Sequence, residues 1–216
     1  MSRFHKLVFS MAAVIVFACA SMTARADTIS IVGSETGQAS TATIVCEFNS
    51  QTNTLTFTIT NTSPGTSTIT GIGYDLPPLG NASASGLNGF TGMQAPSLSA
   101  NFTFSDAALG TVPGFNSAVL DFGFITGNSG NFNGGSPNDG LAPGESASFT
   151  VTGAAFSGFT AQQICNAVFV RFQGGAAGSD VGTPSSSVPE PSSILLLGSA
   201  LVGFGGYARR RLRMRG

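Results

Sequence analysis

Tryptophan is absent from this 216-residue chain, and histidine occurs once, at His5. Lysine also occurs once, at Lys6. Past residue 26 there is neither, so a Ser-His-Asp triad, a Cys-His dyad and a lysine base are excluded from the body of the chain. A zinc site lacks ligands there too, because only Cys46 and Cys165 remain and they lie far apart. Positive charge is missing as well. Between residues 27 and 191, Arg171 is the single base against ten acids, a formal side-chain charge of −9 that the whole-chain value of −1 hides. Such a polyanion does not bind nucleic acid by neutralising phosphate, and no nucleic-acid partner is expected. It is also repelled by anionic polysaccharide unless divalent cations bridge the two. Paired carboxylates for glycoside cleavage stay open on spacing alone. Without Trp, only Tyr74 and phenylalanines remain to stack on a sugar, and the expectation is a domain that is not an enzyme.

Long apolar runs are confined to the two ends. Arg3, His5 and Lys6 precede the run Leu7 to Ala20, and Ala24-Arg25-Ala26 follows with a small-x-small pattern. This is the pattern of a secretory signal helix, residues 1–26, cut by signal peptidase between Ala26 and Asp27. A competing lipoprotein cut falls before Cys19, but Phe17 is bulky for that motif. At the other end, Ser192 to Ala208 is apolar and is followed by Arg209, Arg210, Arg211, Arg213 and Arg215. At about 1.5 Å per residue this run reaches roughly 26 Å, against a hydrocarbon core of about 30 Å. A marginal transmembrane helix is expected over 192–208. The arginines form a cytoplasmic stop signal, which leaves residues 27–191 outside.

Just before that run stands Val188-Pro189-Glu190-Pro191. The triplet, the glycine-containing apolar segment and the arginine cluster, in that order, resemble a PEP-CTERM sorting signal over residues 188–216. The resemblance implies recognition and tail removal by an exosortase, with the inner membrane as a transient anchor. It further implies a Gram-negative host that makes exopolysaccharide and biofilm matrix, a final place in the cell envelope or extracellular matrix, and frequent glycosylation. No catalytic residue is carried over, because the chain is the substrate of the sorting step.

The body, 27–173, is rich in Gly, Ser, Thr and Asn, yet it holds fourteen phenylalanines from Phe48 to Phe172. Disordered chains are poor in such residues. In Asn53 to Thr62, Leu55, Phe57 and Ile59 alternate with threonines, the period of a half-buried strand. Ser40 to Phe48 alternates likewise, and Gln51-Thr52-Asn53 joins the two as a hairpin. Thr28 to Val32, Thr66 to Leu76, Ala100 to Ser105, Ala118 to Ile125, Ser146 to Gly153 and Ala167 to Gln173 complete the expected strands. Only Thr160 to Ile164 reads as helical. The expected fold is all-β, an antiparallel β-sandwich, with a small β-barrel as the alternative. Pro77 to Ser99 and Thr126 to Gly140 read as long loops, and 174–187 reads as a flexible linker.

An oxidising compartment permits a Cys46–Cys165 disulfide, against two buried free thiols. Asn131, Asn133 and Asp139 lie in an oxygen-rich, glycine-containing loop of a kind calcium favours, although the spacing is not that of an EF-hand. A loop without metal is the simpler reading, and no cofactor is required. Arg171 reads as an exposed or rim residue paired with an acid. Together with what the PEP-CTERM resemblance implies, the expectation is a structural or adhesive surface protein of an exopolysaccharide matrix. A polysaccharide- or calcium-binding module is the second reading and a glycosidase-like enzyme the third.

Overall fold

Threonine alternating with leucine, phenylalanine and isoleucine makes one hairpin the centre of the domain. In the computed structural model, β2 (Thr41–Asn49) and β3 (Thr54–Asn61) pair in full antiparallel register. The turn is held by Asn49, whose Oδ1 accepts from the backbone N–H of Gln51 (3.0 Å) and Thr52 (3.3 Å). Asn53 then takes φ 49°, a left-handed conformation that asparagine tolerates better than most residues. The structure describes residues 26–34, 36, 39–76, 89–96, 100–106, 109–127, 131–176 and 178–185. The expected signal helix and transmembrane segment lie outside the described residues.

The remaining strands are β1 (Asp27–Gly33), β4 (Thr68–Tyr74), β5 (Phe90–Gln94), β6 (Phe102–Ser105), β7 (Thr111–Val112), β8 (Phe115–Val119), β9 (Phe122–Thr126), β10 (Ser146–Gly153), β11 (Val168–Gly175) and β12 (Gly178–Ser185). A single short helix, α1 (Ala161–Cys165), is described, with a capping box between Thr160 and Gln163. Strands β7 and β8 form a separate two-stranded ribbon. The other ten make one antiparallel sheet in the order β5-β10-β3-β2-β1-β12-β11-β4-β9-β6.

The domain is therefore all-β, but it is one continuous sheet and not the two packed sheets of the expected sandwich. Its shape is near that of a barrel, because the edge strands come together. Gln94 of β5 donates from Nε2 to Ala100 O (2.9 Å) and accepts at Oε1 from Phe102 N–H (2.8 Å). Gly92 lies flat against the Phe104 ring, with no room for a Cβ. Bringing edges together removes the unpaired rows that an open sheet would expose.

The interior is aromatic. Phe57 stacks on Phe149 at 5.0 Å, Tyr74 on Phe122 at 4.8 Å, and Phe90 packs on Phe156 at 4.8 Å. Each fully buried Phe contributes about 1.5–3 kcal/mol, and ring pairs add about 0.5–1.5 kcal/mol. A second apolar layer covers the outer side of β4, β9, β11 and β12. Leu109, Val112, Ala118, Leu120, Ile125, Phe132 and Val181 form it, under the β7–β8 ribbon and the segment that follows β9. Buried on both faces, β9 reads as an unbroken Phe-Gly-Phe-Ile-Thr run and not as an alternation.

Four expectations are corrected here. Ala118 to Ile125 is not one strand: the chain breaks at Leu120–Asp121, where Asp121 N–H donates to Tyr74 O (2.8 Å) and Asp121 Oδ2 accepts from Leu76 N–H (2.7 Å). The supposed loop Pro77 to Ser99 contains β5, which pairs with β10. Arg171 is buried at 8% exposure, because the second layer covers its side of β11. The fourth concerns 174–187, read as a linker. Residues Gly178–Ser185 are strand β12, inserted between β1 and β11. Its glycines and serines looked like linker composition, but Gly182 is small for a packing reason. A Cβ there would stand 2.7 Å from Ile31 and 3.1 Å from Phe172. The folded domain thus runs to Ser185.

Candidate functional site

The half of the sheet that the second layer of described residues leaves uncovered carries a continuous polar face. Alternation along β1, β2, β3, β5 and β10 turns Ile, Leu and Phe inward and leaves mostly Thr and Ser outward. Register sets them in rows. Thr28, Val45, Thr58 and Ser148 lie side by side across four strands. Ser30, Thr43, Thr60 and Ser146 form the next row. Rows of this kind repeat at about 4.8 Å between strands and roughly 6.7 Å along them.

Hydroxyls on the face pair with one another. Thr58 Oγ1 and Ser148 Oγ are 2.7 Å apart, as are Thr60 Oγ1 and Ser146 Oγ. Thr62 Oγ1 donates to Thr41 Oγ1 at 3.0 Å. A hydroxyl has one donor and two acceptor sites, so these pairs keep capacity for a ligand or water. Glu47 is the charged side chain of this face. Val32, Val45 and Met93, the exposed large apolar residues among those described, all lie on it. The face is therefore nearly neutral and mixes hydroxyls with methyl groups, on a strongly anionic domain.

Elsewhere the polar side chains serve the fold. Cys46 of β2 is joined to Cys165 of α1, with a Cα–Cα distance of 6.0 Å, and both are buried. Asp180 Oδ1 accepts from Val181 N–H (2.9 Å) and Thr36 N–H (3.2 Å), tying β12 to the chain after β1. Asn61 donates to Ser67 O (2.7 Å) and Leu141 O (2.8 Å). The Tyr74 hydroxyl is buried with no hydrogen-bond partner among the described residues, and burial pushes its pKa well above the usual tyrosine value. Burial also raises the pKa of Asp75, against a backbone hydrogen bond from Val119 that lowers it.

The loop residues considered for calcium sit in two local turns. Asn131 Oδ1 accepts from Asn133 N–H at 2.9 Å, so the side chain is turned onto its own loop. Asp139 lies in a separate 3-10 turn, Pro137–Asp139. Among the described residues no three Cys, His, Asp or Glu side chains gather as a metal cluster.

Sequence reading found the threonine row of β3 but not the face it belongs to. The signal was present in the matching Ser/Thr alternation of 41–49, 54–61 and 146–152; which strands lie side by side was not. Val188 to Pro191 and Arg209 to Arg215 lie outside the described residues, as do Ala24 and the run 192–208. No described helix is long and apolar enough to cross a membrane.

By its fold the domain is an all-β near-barrel with a hydroxyl-rich face that carries one charge, Glu47. Residues 187–211 match the family model of the PEP-CTERM protein-sorting motif. The chain carries that motif directly behind the barrel, which is consistent with export, surface sorting and processing by an exosortase. No curated protein and no solved structure matches the chain.

Proposed function

We propose that this protein is an exported structural, adhesive component of an exopolysaccharide matrix. It is made with a cleaved signal peptide, held for a time in the inner membrane by residues 192–208, and then freed by tail removal. It acts without catalysis. The observation that carries the adhesive role is the hydroxyl face of β1, β2, β3, β5 and β10. On a domain of formal charge −9, this face approaches a polysaccharide with little repulsion. Threonine hydroxyls exchange water for sugar hydroxyls, while their methyls and Val45 meet the sugar C–H surface. Each contact is weak, and many copies in a matrix add their attachment through avidity.

The test is retention on exopolysaccharide isolated from the producing cells. Thr56→Glu and Thr58→Glu together place carboxylates at the centre of the face without touching the core. The expected result is loss of retention with an unchanged circular-dichroism spectrum. Retention equal to that of the wild type would remove the face from the adhesive role.

A further inference from the structure

Hydrogen bonding is uneven across the hydroxyl face. Thr58 pairs with Ser148, Thr60 with Ser146 and Thr62 with Thr41, so those rows are partly engaged with themselves. The row beside them is different. Register sets Glu47, Thr56, Thr150 and Met93 side by side across β2, β3, β10 and β5. Among the described residues no side-chain hydrogen bond engages Glu47, Thr56 or Thr150. Glu47 and Thr56 are exposed, Thr150 is half-buried and Met93 is 67% exposed.

Strand spacing gives this row its length. Four strands at about 4.8 Å make a track of roughly 14 Å. One ring of an extended, equatorially linked sugar chain advances by about the same step as one strand. A chain laid across the strands therefore meets one side chain of the row at each ring. Neighbouring strands also rotate by about 20–25°, which a single twisting chain can follow and a flat crystal face cannot.

The side chains fit a chain rich in hydroxyls. The Glu47 carboxylate can accept from two neighbouring sugar hydroxyls, and bonds to a charged acceptor are the stronger kind. Thr56 and Thr150 each donate once and accept twice. Met93, with Val45 in the adjacent row, offers apolar surface to the sugar C–H groups. Charge sets the selectivity. A uronate or sulfate on the chain would meet Glu47 directly, on a domain of formal charge −9. Two other acids stand near the face but turn from it. Asp27 shares the side of β1 that carries Ile29 and Ile31, and Glu145 Oε2 accepts from Ala142 N–H in its own turn.

We propose that the row Glu47, Thr56, Thr150 and Met93 is the binding track for a single, extended, uncharged β-linked glycan chain that runs across the strands. This rests on the adhesive role of the hydroxyl face and gives that role its substrate class. Glu47 is the charged acceptor of the track, the two threonines are its exchangeable hydroxyls, and Met93 closes it at the edge strand β5.

The experiment measures migration of the protein recovered from the producing cells in native gels that contain a polymer, relative to a polymer-free gel. Hydroxyethylcellulose is the uncharged extended chain, carboxymethylcellulose its charged counterpart on the same backbone, and dextran an uncharged α-linked coil. Retardation is expected in hydroxyethylcellulose and not in the other two. Thr56→Val with Thr150→Val removes two hydroxyls while keeping the strand shape, and Glu47→Ala removes the carboxylate. Each should weaken the affinity by about tenfold with an unchanged circular-dichroism spectrum. Equal retardation by carboxymethylcellulose or by dextran overturns the proposal, and so does wild-type affinity in both variants. No retardation by hydroxyethylcellulose, while isolated exopolysaccharide still retains the protein, overturns this glycan class and leaves the adhesive role standing. Loss of both removes the adhesive role as well.

Discussion

Removing the Cys46–Cys165 bond is the sharpest perturbation of the domain. The two cysteines are separated by 119 positions, so the bond closes most of the barrel into one loop. In the chain-entropy description, a loop of that length withdraws about 16 cal/mol/K from the unfolded chain, or about 5 kcal/mol at 25 °C. For a domain of roughly 160 residues, each kcal/mol moves Tm by about 2–4 °C, so a fall of about 10–20 °C is expected. The appropriate variant is Cys46→Ala with Cys165→Ala, which leaves no lone buried thiol. Both sites are almost fully buried, so the lost sulfur packing adds to the effect. Urea unfolding by circular dichroism should show a lower midpoint and a steeper slope, because the unfolded chain expands once the loop is open. The oxidised wild type should resist reductant until it unfolds, since neither sulfur is open to solvent. A double variant with the midpoint and Tm of the oxidised wild type would refute the loop-entropy account.

Two further outcomes test the fold and its charges. A chain ending at Ser185 should unfold cooperatively, whereas one ending at Gly175 should lose most of its stability, because β1 and β11 are left unpaired along β12. Equal stability of the two in urea would restore the linker reading of 174–187. For Asp75, burial raises the folded pKa above the ordinary value of 3.8, so its ionised form is disfavoured in the native state. The native carboxyl binds its proton more tightly, and stability falls as pH rises through the range above 3.8. Asp75→Asn should therefore be more stable than wild type at pH 7, with the difference vanishing in acid; equal pH profiles of the two would exclude it.

Much of the domain was legible in the residues. The hairpin 41–61 and the strand 146–153 announced themselves because one face is core and the other is water, which forces strict alternation. Thr160 to Ile164 was readable as helix from its cap and its Gln pair. The strands that escaped are those with another environment. Strand β9 is buried on both sides, so its alternation vanishes. Strand β12 is rich in Gly and Ser, a composition that reads as linker, yet its Gly182 is small because Ile31 and Phe172 press on it. Strand β5 is five residues long and is held at the closure of the sheet by Gln94, a long-range role no local pattern encodes.

The sequence by itself determined the all-β character of the body, the anionic balance, the lack of His and Lys in it and the sorting signal at the tail. Each is a property of composition or of local spacing, which chain folding does not alter. Only the tertiary structure decided that the strands form one near-barrel, that the threonines of separate strands share a face, and that the sorting motif starts one residue beyond the folded domain. Those facts depend on which strands are neighbours, and strand order is set by long-range packing that no window of the sequence contains.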